Sequence, residues 1–143
     1  REFNLQGDLV ATRTVFDSGV PLFVVPCLCV ASHLLTSRHE LAAFLDEDDP
    51  LSGLLLERFT EYGPSEGVWT KEIWDIAAVA WVVLPDAVES SVRSTPQIAD
   101  DGSYVDDRRR DPCTFAVRLN RDAIFADMYE RLQCRGKTSD PTN

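Results

Sequence analysis

An apolar run that contains one charged residue constrains the possible fold of this chain more than any other sequence feature. Eleven of the twelve residues from 73 to 84 are apolar, and the exception is Asp75. A helix that is apolar on every face belongs inside a protein. An ionised carboxylate inside a protein is costly unless another group pairs with it. We therefore predict a buried helix that needs cover on every face. We also expect the Asp75 carboxylate to have a partner or a function.

The length and charge of the chain restrict the classes of partner. The 143 residues suit about one domain, and 14 basic against 24 acidic residues give a formal charge of −10. Such a charge disfavours binding to nucleic acid or to anionic membranes, so neutral molecules or cations are the expected partners. No apolar run reaches the roughly 18 residues of a membrane span, and the first residues show neither a basic leader nor an apolar signal core.

The four cysteines predict a reducing compartment. Cys27, Cys29, Cys113 and Cys134 lack the paired short spacing of a zinc site. Cys27 and Cys29 are two residues apart, and this spacing places both on one face of a strand without favourable bonding geometry. We therefore predict free thiols and a cytoplasmic location.

The first half of the chain contains signals for helices and one strand. Asp8 is the expected start of a short helix that Gly19 and Pro21 end. Residues 21–26 read as a buried strand, followed by an irregular segment to Leu35. Ser37 and Glu40 form the pattern of a capping box at the start of a second helix.

A third helix is predicted from Asp49 and Pro50, which supply a cap and a first-turn proline. Its predicted buried face consists of Leu51, Leu54, Leu55, Phe59 and Tyr62. Gly63 and Pro64 should end the helix.

The C-terminal part predicts a hairpin, a strand and a helix. Residues 88–98 and 103–110 flank the tight-turn pair Asp101-Gly102. Residues 114–119 alternate, which predicts that Phe115, Val117 and Leu119 point inward and that Thr114, Ala116 and Arg118 point outward. Asn120 should cap a helix whose apolar face carries Phe125, Met128 and Leu132. We predict one domain over residues 1–134 and a flexible tail over 135–143.

These elements make an α/β chain with few strands to cover the central helix. Four or five other helices and a few strands cover a helix of this kind only in part. We therefore expect either that the chain is one portion of a larger domain or that a partner covers the helix.

Several segments together resemble a known family. They are "EFN" at 2–4, "SGVPLFVVP" at 18–26, "VASHLLTSRHEL" at 30–41 and "EIWDIAAVAWVVLP" at 72–85, followed by the hairpin, strand and helix. Their order is similar to that of the C-terminal part of the inosine-uridine preferring nucleoside hydrolases, calcium-dependent nucleoside N-ribohydrolases. The resemblance implies a mixed sheet flanked by helices with a β-hairpin near the C-terminus. The family's acidic cluster Asp-x-Asp-x-Gly-x-Asp-Asp has no counterpart in these 143 residues.

The resemblance also implies roles for individual residues. Asp75 would be a catalytic carboxylate and a calcium ligand, and Glu2 and Asn4 would bind ribose hydroxyls. Trp74 stands where one subgroup has a histidine that protonates the leaving base. An indole has no titratable proton near neutral pH, so Trp74 would stack on the base instead. The implied partners are a ribonucleoside, the N-terminal part of the same enzyme and further copies of the chain.

Each of these roles has a structural alternative. Without the resemblance, Asp75 would be an N-cap or first-turn acid that meets the helix dipole. Trp74 would fill the core, whereas Tyr62 and Trp69, which precede the central helix, would either pack or border the base. The alternative to an enzyme portion is a non-catalytic module that pairs with itself or with another chain.

Overall fold

The computed structural model describes residues 3–64 and 67–135, with side chains described to residue 133. Six α-helices and seven β-strands occur in these ranges. The helices are α1 (Phe3–Gly7), α2 (Leu9–Asp17), α3 (Arg38–Phe44), α4 (Pro50–Tyr62), α5 (Ile76–Val83) and α6 (Arg121–Arg135). The strands are β1 (Phe23–Val24), β2 (Leu35–Thr36), β3 (Lys71–Glu72), β4 (Val88–Ser94), β5 (Gln97–Ile98), β6 (Tyr104–Val105) and β7 (Pro112–Leu119). Most of the predicted tail lies outside the described residues.

The main sheet has the order β1-β7-β4 and is mixed. β1 runs parallel to β7, whereas β4 runs antiparallel to it. Two antiparallel pairs, β2 with β3 and β5 with β6, complete the described strands. The predicted α/β class is confirmed.

Side-chain caps start four of the helices as the sequence predicts. In each case the capping oxygen accepts from the backbone N–H three residues later, at 2.8 to 3.2 Å. The capping residues are Asp8, Ser37, Asp49 and Asn120. Local chemistry therefore sets these helix starts.

The predicted turn at Asp101-Gly102 is present, but its hairpin is short. Gly102 has φ +77°, a backbone conformation that favours glycine, and Ser103 N–H donates to Asp101 Oδ1 at 3.0 Å. The hairpin joins β5 to β6, two residues each. The predicted long arm that begins at residue 88 is wrong, because β4 pairs with β7 instead.

The predicted alternation along β7 is wrong at residues 116 and 117, and a β-bulge is the reason. β4 pairs Glu89 with Arg118 and then Ser90 with Ala116, so Val117 is an extra residue without a partner across the ladder. The bulge turns Ala116 inward, at 1% exposure, and leaves Val117 42% exposed.

As a result, the two faces of β7 contact different surroundings. Ala116 and Leu119 join the main core, together with residues of α3, α4, α5 and α6. Phe115 is buried on the other side against Tyr104, with the two ring centroids 5.9 Å apart.

The predicted buried face of α4 is confirmed at Phe59 but wrong at its other four residues. Ser52, Leu56 and Phe59 are buried, whereas the predicted Leu51, Leu54, Leu55 and Tyr62 are exposed. The preceding turn packs closely against this helix, since the Glu47 carbonyl oxygen would lie 2.6 Å from a Cβ on Gly53. The turn therefore contacts the helix beside Ser52, and the stripe at 52, 56 and 59 faces the core.

The central helix is not covered on every face. It begins at Ile76, and only its small residues Ala77 and Ala80 are buried. Val79 is 61% exposed and Val82 is 82% exposed. The strand predicted to be buried, β1, is an edge strand, and its Phe23 is largely exposed. The described elements supply cover for one side of α5 only.

Two further predictions concern membranes and thiols. Over residues 3–64 and 67–135, no helix is long and apolar enough to cross a bilayer. Cys29 and Cys113 are free thiols, as predicted.

Candidate functional site

A cleft beside the start of α5 contains two of the predicted site residues, and we call it the Trp74 cleft. Its volume is about 580 Å³. The end of α4, the segment from β3 into α5, and α6 supply most of its lining. The apolar lining consists of Leu41, Leu45, Leu55, Phe59, Ile73, Met128 and Leu132, and the remaining lining of Arg58, Tyr62, Lys71, Glu72, Trp74 and Asp75. A cleft of this size with a few polar groups is typical of a small-molecule site.

Asp75 lies at the N-cap position of α5 without acting as a side-chain cap. Its backbone is right-handed helical, at φ −76° and ψ −21°, whereas capping residues usually have an extended backbone. Its carboxylate makes no capping hydrogen bond, so the N-cap alternative holds for the position of Asp75 but not for a side-chain cap. The side chain is exposed and has no ion pair to any described residue. Because the Asp75 carboxylate is exposed to water, it does not incur the desolvation cost that its place in an apolar run suggested.

Lys71 brings a positive charge to the aromatic side chains of the cleft. Its Nζ lies 5.0 Å from the ring centroid of Tyr62 and 5.6 Å from that of Trp74. Both distances are within the range of cation–π attraction. The backbone of Lys71 is fixed in β3 by pairing with Thr36 of β2.

Glu72 completes this charged group. Its Oε2 lies 3.3 Å from Lys71 Nζ, and both side chains are half-buried. The pKa of Glu72 is lowered first by a hydrogen bond from its own backbone N–H and then by Lys71, against the opposing effect of burial. Glu72 therefore stays ionised beside the ammonium at neutral pH.

Trp69, for which the sequence predicted either packing or a place beside the base, does not itself line the cleft but packs against a residue of its lining. Its ring stacks on Phe59 with the centroids 4.7 Å apart. It also covers Gly63, where a Cβ would lie 1.9 Å from the indole. Gly63 is thus needed for close packing at the end of α4, and Tyr62 is the aromatic residue of this segment that lines the cleft.

The predicted ribose-binding residues do not join Trp74 and Asp75 in the described structure. Asn4 is exposed in α1 and is not part of the cleft lining. The neighbouring Gln6 of α1 donates to the carbonyl of Asp101 in the hairpin at 3.1 Å. Glu2 lies outside the described residues.

The carboxylates do not form a complete calcium site by themselves. Within residues 3–64 and 67–135, no group of three or more His, Cys, Asp or Glu side chains is arranged to hold a metal ion. Calcium takes six to eight oxygen ligands. Asp75 has the oxygen chemistry of one such ligand, and the others would have to come from outside the described part of the chain.

Lys71 is the cleft residue that sequence reasoning missed. Its two aromatic neighbours lie nine residues before it and three residues after it, on different elements. Neither spacing is a motif, because only the turn after α4 and the pairing of β3 bring the three side chains together. The signal available in the sequence was the cationic residue next to "EIWD".

Comparison with known proteins leaves the family open. No protein-family model matches this chain, and no curated protein matches it. The resemblance to nucleoside hydrolases therefore rests on the sequence segments alone.

Proposed function

We propose that this chain is the C-terminal portion of a calcium-dependent nucleoside hydrolase with the nucleoside hydrolase fold, acting in the cytoplasm as a homo-oligomer. The reaction adds water to the anomeric carbon of the ribose while the bond to the base breaks, and the base leaves with a proton. The observation that carries the proposal is that Trp74 and Asp75 line the same cleft. The proposal is also supported by the Asp75 carboxylate, which is exposed and makes no ion pair with any described residue.

The two side chains suit the two halves of this reaction. Cleavage of an N-glycosidic bond develops positive charge on the sugar, which a nearby carboxylate such as Asp75 stabilises. It also develops negative charge on the base, and the face of Trp74 would stack on that base as it leaves. Glu2 and Asn4 would bind the ribose hydroxyls once the complete domain brings them to the site.

Calcium requires a complementary segment in this proposal. Asp75 would supply one ligand, and an acidic cluster of the family type would supply most of the others. When bound, the ion would acidify the attacking water and hold the ribose diol. We therefore expect the 143-residue chain alone to bind calcium weakly and to hydrolyse no nucleoside.

An assay of ribose release from inosine and uridine tests the proposal. The chain is measured alone and together with an N-terminal segment that carries the acidic cluster, with and without calcium. We expect calcium-dependent turnover only in the mixture. Robust turnover by the chain alone would contradict the need for a complementary segment, and an inactive mixture would contradict the hydrolase assignment.

A pair of variants in the active mixture tests the role of Asp75. Asp75→Asn should weaken calcium binding and lower the rate on the order of 10²-fold, because it removes a charge from both the ion and the developing cation. Asp86→Asn is the matched control, since Asp86 is an exposed carboxylate just after α5 that does not line the cleft. Equal effects of the two variants would remove the assigned role.

The second candidate function is a non-catalytic interaction module. The exposure of Val79, Val82 and Phe23 favours it, because these apolar side chains would suit a protein partner. A chain that associates through this surface and shows no ribosidase activity in any mixture would support this candidate.

A further inference from the structure

We propose that the Trp74 cleft binds an organic cation with an apolar substituent, and that the Lys71 ammonium holds the cation position in this structure. The proposal goes beyond nucleoside hydrolysis and does not rest on it. It starts from Lys71 Nζ, which lies over two aromatic rings within cation–π distance, as ligand ammonium groups do in aromatic sites.

The Lys71 ammonium lies over the rings of both Tyr62 and Trp74. Both ring centroids lie within 6 Å of Lys71 Nζ, at 5.0 and 5.6 Å. The rings come from different elements, since Tyr62 ends α4 and Trp74 precedes α5. A cation at this point is therefore attracted by two aromatic groups together.

Carboxylates add to the attraction for a cation. Glu72 Oε2 lies 3.3 Å from the Lys71 ammonium, and Asp75 lines the same cleft. Arg58, the other basic residue of the lining, already pairs with Glu61 at 2.7 Å. Once the Lys71 ammonium moves away, the carboxylates of Glu72 and Asp75 give the cleft a negative charge.

The apolar lining specifies the rest of the ligand. Leucine, phenylalanine and methionine side chains dominate the cleft beyond the charged residues. Its volume of about 580 Å³ is sufficient for a small ligand beside the Lys71 side chain. A ligand with an ammonium group and an alkyl or aryl substituent would satisfy both parts of the site.

The Lys71 side chain can move while its backbone stays paired in β3. β3 holds its backbone through the pairing with β2, whereas its side chain is a flexible four-carbon stem. Its described polar contact is the single ion pair with Glu72. The ammonium therefore acts as an internal competitor that a ligand displaces.

Calorimetric titration with hexyltrimethylammonium tests the proposal on the full 143-residue chain, without metal or nucleoside. Lys71→Ala should bind this probe about tenfold more tightly than the wild-type chain, because the internal competitor is gone. Arg58→Ala is the matched control. It removes a basic side chain from the same cleft but leaves Lys71 over the rings, so we expect less than about a threefold change.

A second pair of measurements tests the aromatic rings and the ligand charge. In the Lys71→Ala background, Tyr62→Leu and Trp74→Leu should each weaken binding by about tenfold. Tyr62 is exposed, so its replacement keeps the proposal testable even where the Trp74 variant fails to fold. Hexanol and hexanoate, which share the tail but lack the positive charge, should bind more weakly than the ammonium.

Three results would overturn the proposal. The first is unchanged or weaker binding of hexyltrimethylammonium by Lys71→Ala. The second is equal binding of hexanol, which would reduce the cleft to a non-specific apolar surface. The third is tighter binding of hexanoate to the wild-type chain with its loss in Lys71→Ala, which would make Lys71 an anchor for anions.

Discussion

Asp107 is a carboxylate whose charge is fixed by its neighbours. Its oxygens accept from the backbone N–H and the guanidinium of Arg109, at 3.0 to 3.2 Å, and from Gln97 at 3.0 Å. The hydrogen bonds from Arg109, that of its side chain first and then that of its backbone N–H, lower the pKa of Asp107 from 3.8 to about 2. The segment that leads from β6 to β7 is therefore held by a charge that persists in moderately acidic solution.

This shift predicts a pH dependence of stability. Because the pKa of Asp107 is lower in the folded than in the unfolded chain, its stabilising effect is present above about pH 4 and is lost as the pH falls towards 2. Asp107→Asn should make the free energy of unfolding less sensitive to pH in this window, measured by urea denaturation. Asp106→Asn is the control, since the nearest guanidinium, that of Arg108, is 3.8 Å away. A pH response equal to wild type in Asp107→Asn would contradict the argument.

Glu40 and Arg121 form an ion pair that connects three elements. Arg121 Nη2 donates to Glu40 Oε1 at 2.6 Å and to the carbonyl of Leu35 in β2 at 2.7 Å. The Glu40 and Arg121 side chains are only 28% and 30% exposed. The Glu40 carboxylate therefore serves the tertiary structure, whereas only the Glu40 backbone N–H takes part in the predicted cap, by donating to Ser37 Oγ.

We predict that Glu40→Gln lowers the free energy of unfolding by about 1–3 kcal/mol, because a partly buried guanidinium loses its charged acceptor. Urea denaturation measures the change. Glu89→Gln is the matched control, since Glu89 pairs with Arg118 at 3.0 Å while both side chains are mostly exposed. That variant should lie within about 1 kcal/mol of wild type. Similar losses in both variants would refute the special role of Glu40.

Four helices and one tight turn of this chain lie where short-range sequence signals predict them. Asp8, Ser37, Asp49 and Asn120 start helices because a capping oxygen acts on a backbone N–H only three residues away. Gly102 marks a turn because its backbone conformation favours glycine. The buried faces were harder to predict, since that of α4 depends on the packing of Leu56 and Phe59 in the core and that of β7 depends on a bulge.

The bulge gives opposite expectations for two neighbouring residues. Ala116→Val should destabilise the fold by about 1–3 kcal/mol, because two methyl groups enter a close-packed core. Val117→Thr should change the free energy of unfolding by no more than about 0.5 kcal/mol, because Val117 is 42% exposed. Regular alternation predicts the reverse order, since it places Ala116 outside and Val117 inside. Chemical denaturation of the two variants thus distinguishes the bulged strand from a regular one.

At the scale of the whole molecule, an apolar surface extends from α5 to the edge strand β1. The ring of Phe23 meets that of Trp81 edge to face, with the centroids 5.4 Å apart. Phe23, Trp81 and Val82 also line a cleft of about 500 Å³ beside Pro85. We call this region the α5 surface.

The sequence predicted the existence of such a surface but not its position. The run of eleven apolar residues in twelve predicts more apolar helix surface than a few short strands can cover. This prediction requires only the sequence. Which side of α5 stays exposed depends on the long-range packing of Ala77 and Ala80 against the core. The Trp74 cleft was predictable only in part for the same reason, since Trp74 and Asp75 are neighbours in sequence whereas Lys71 and Tyr62 meet through tertiary structure.

We predict that the isolated chain associates through the α5 surface. Exposed valines at 79 and 82 and the ring of Phe23 offer apolar area whose removal from water favours association by roughly 25 cal/mol per Å². Sedimentation velocity over increasing protein concentration should therefore show a shift from monomer to larger species.

Two variants locate this association. Val82→Lys should keep the chain monomeric at concentrations where the wild type associates, because a lysine charge would be desolvated in the interface. Val82 is 82% exposed, so its replacement removes little internal packing. Val68→Lys is the control for added charge, since Val68 is fully exposed in the segment before β3. A wild-type chain that stays monomeric at high concentration would show that the apolar side chains of the α5 surface remain in water. Equal dissociation by both lysine variants would place the contact outside the α5 surface.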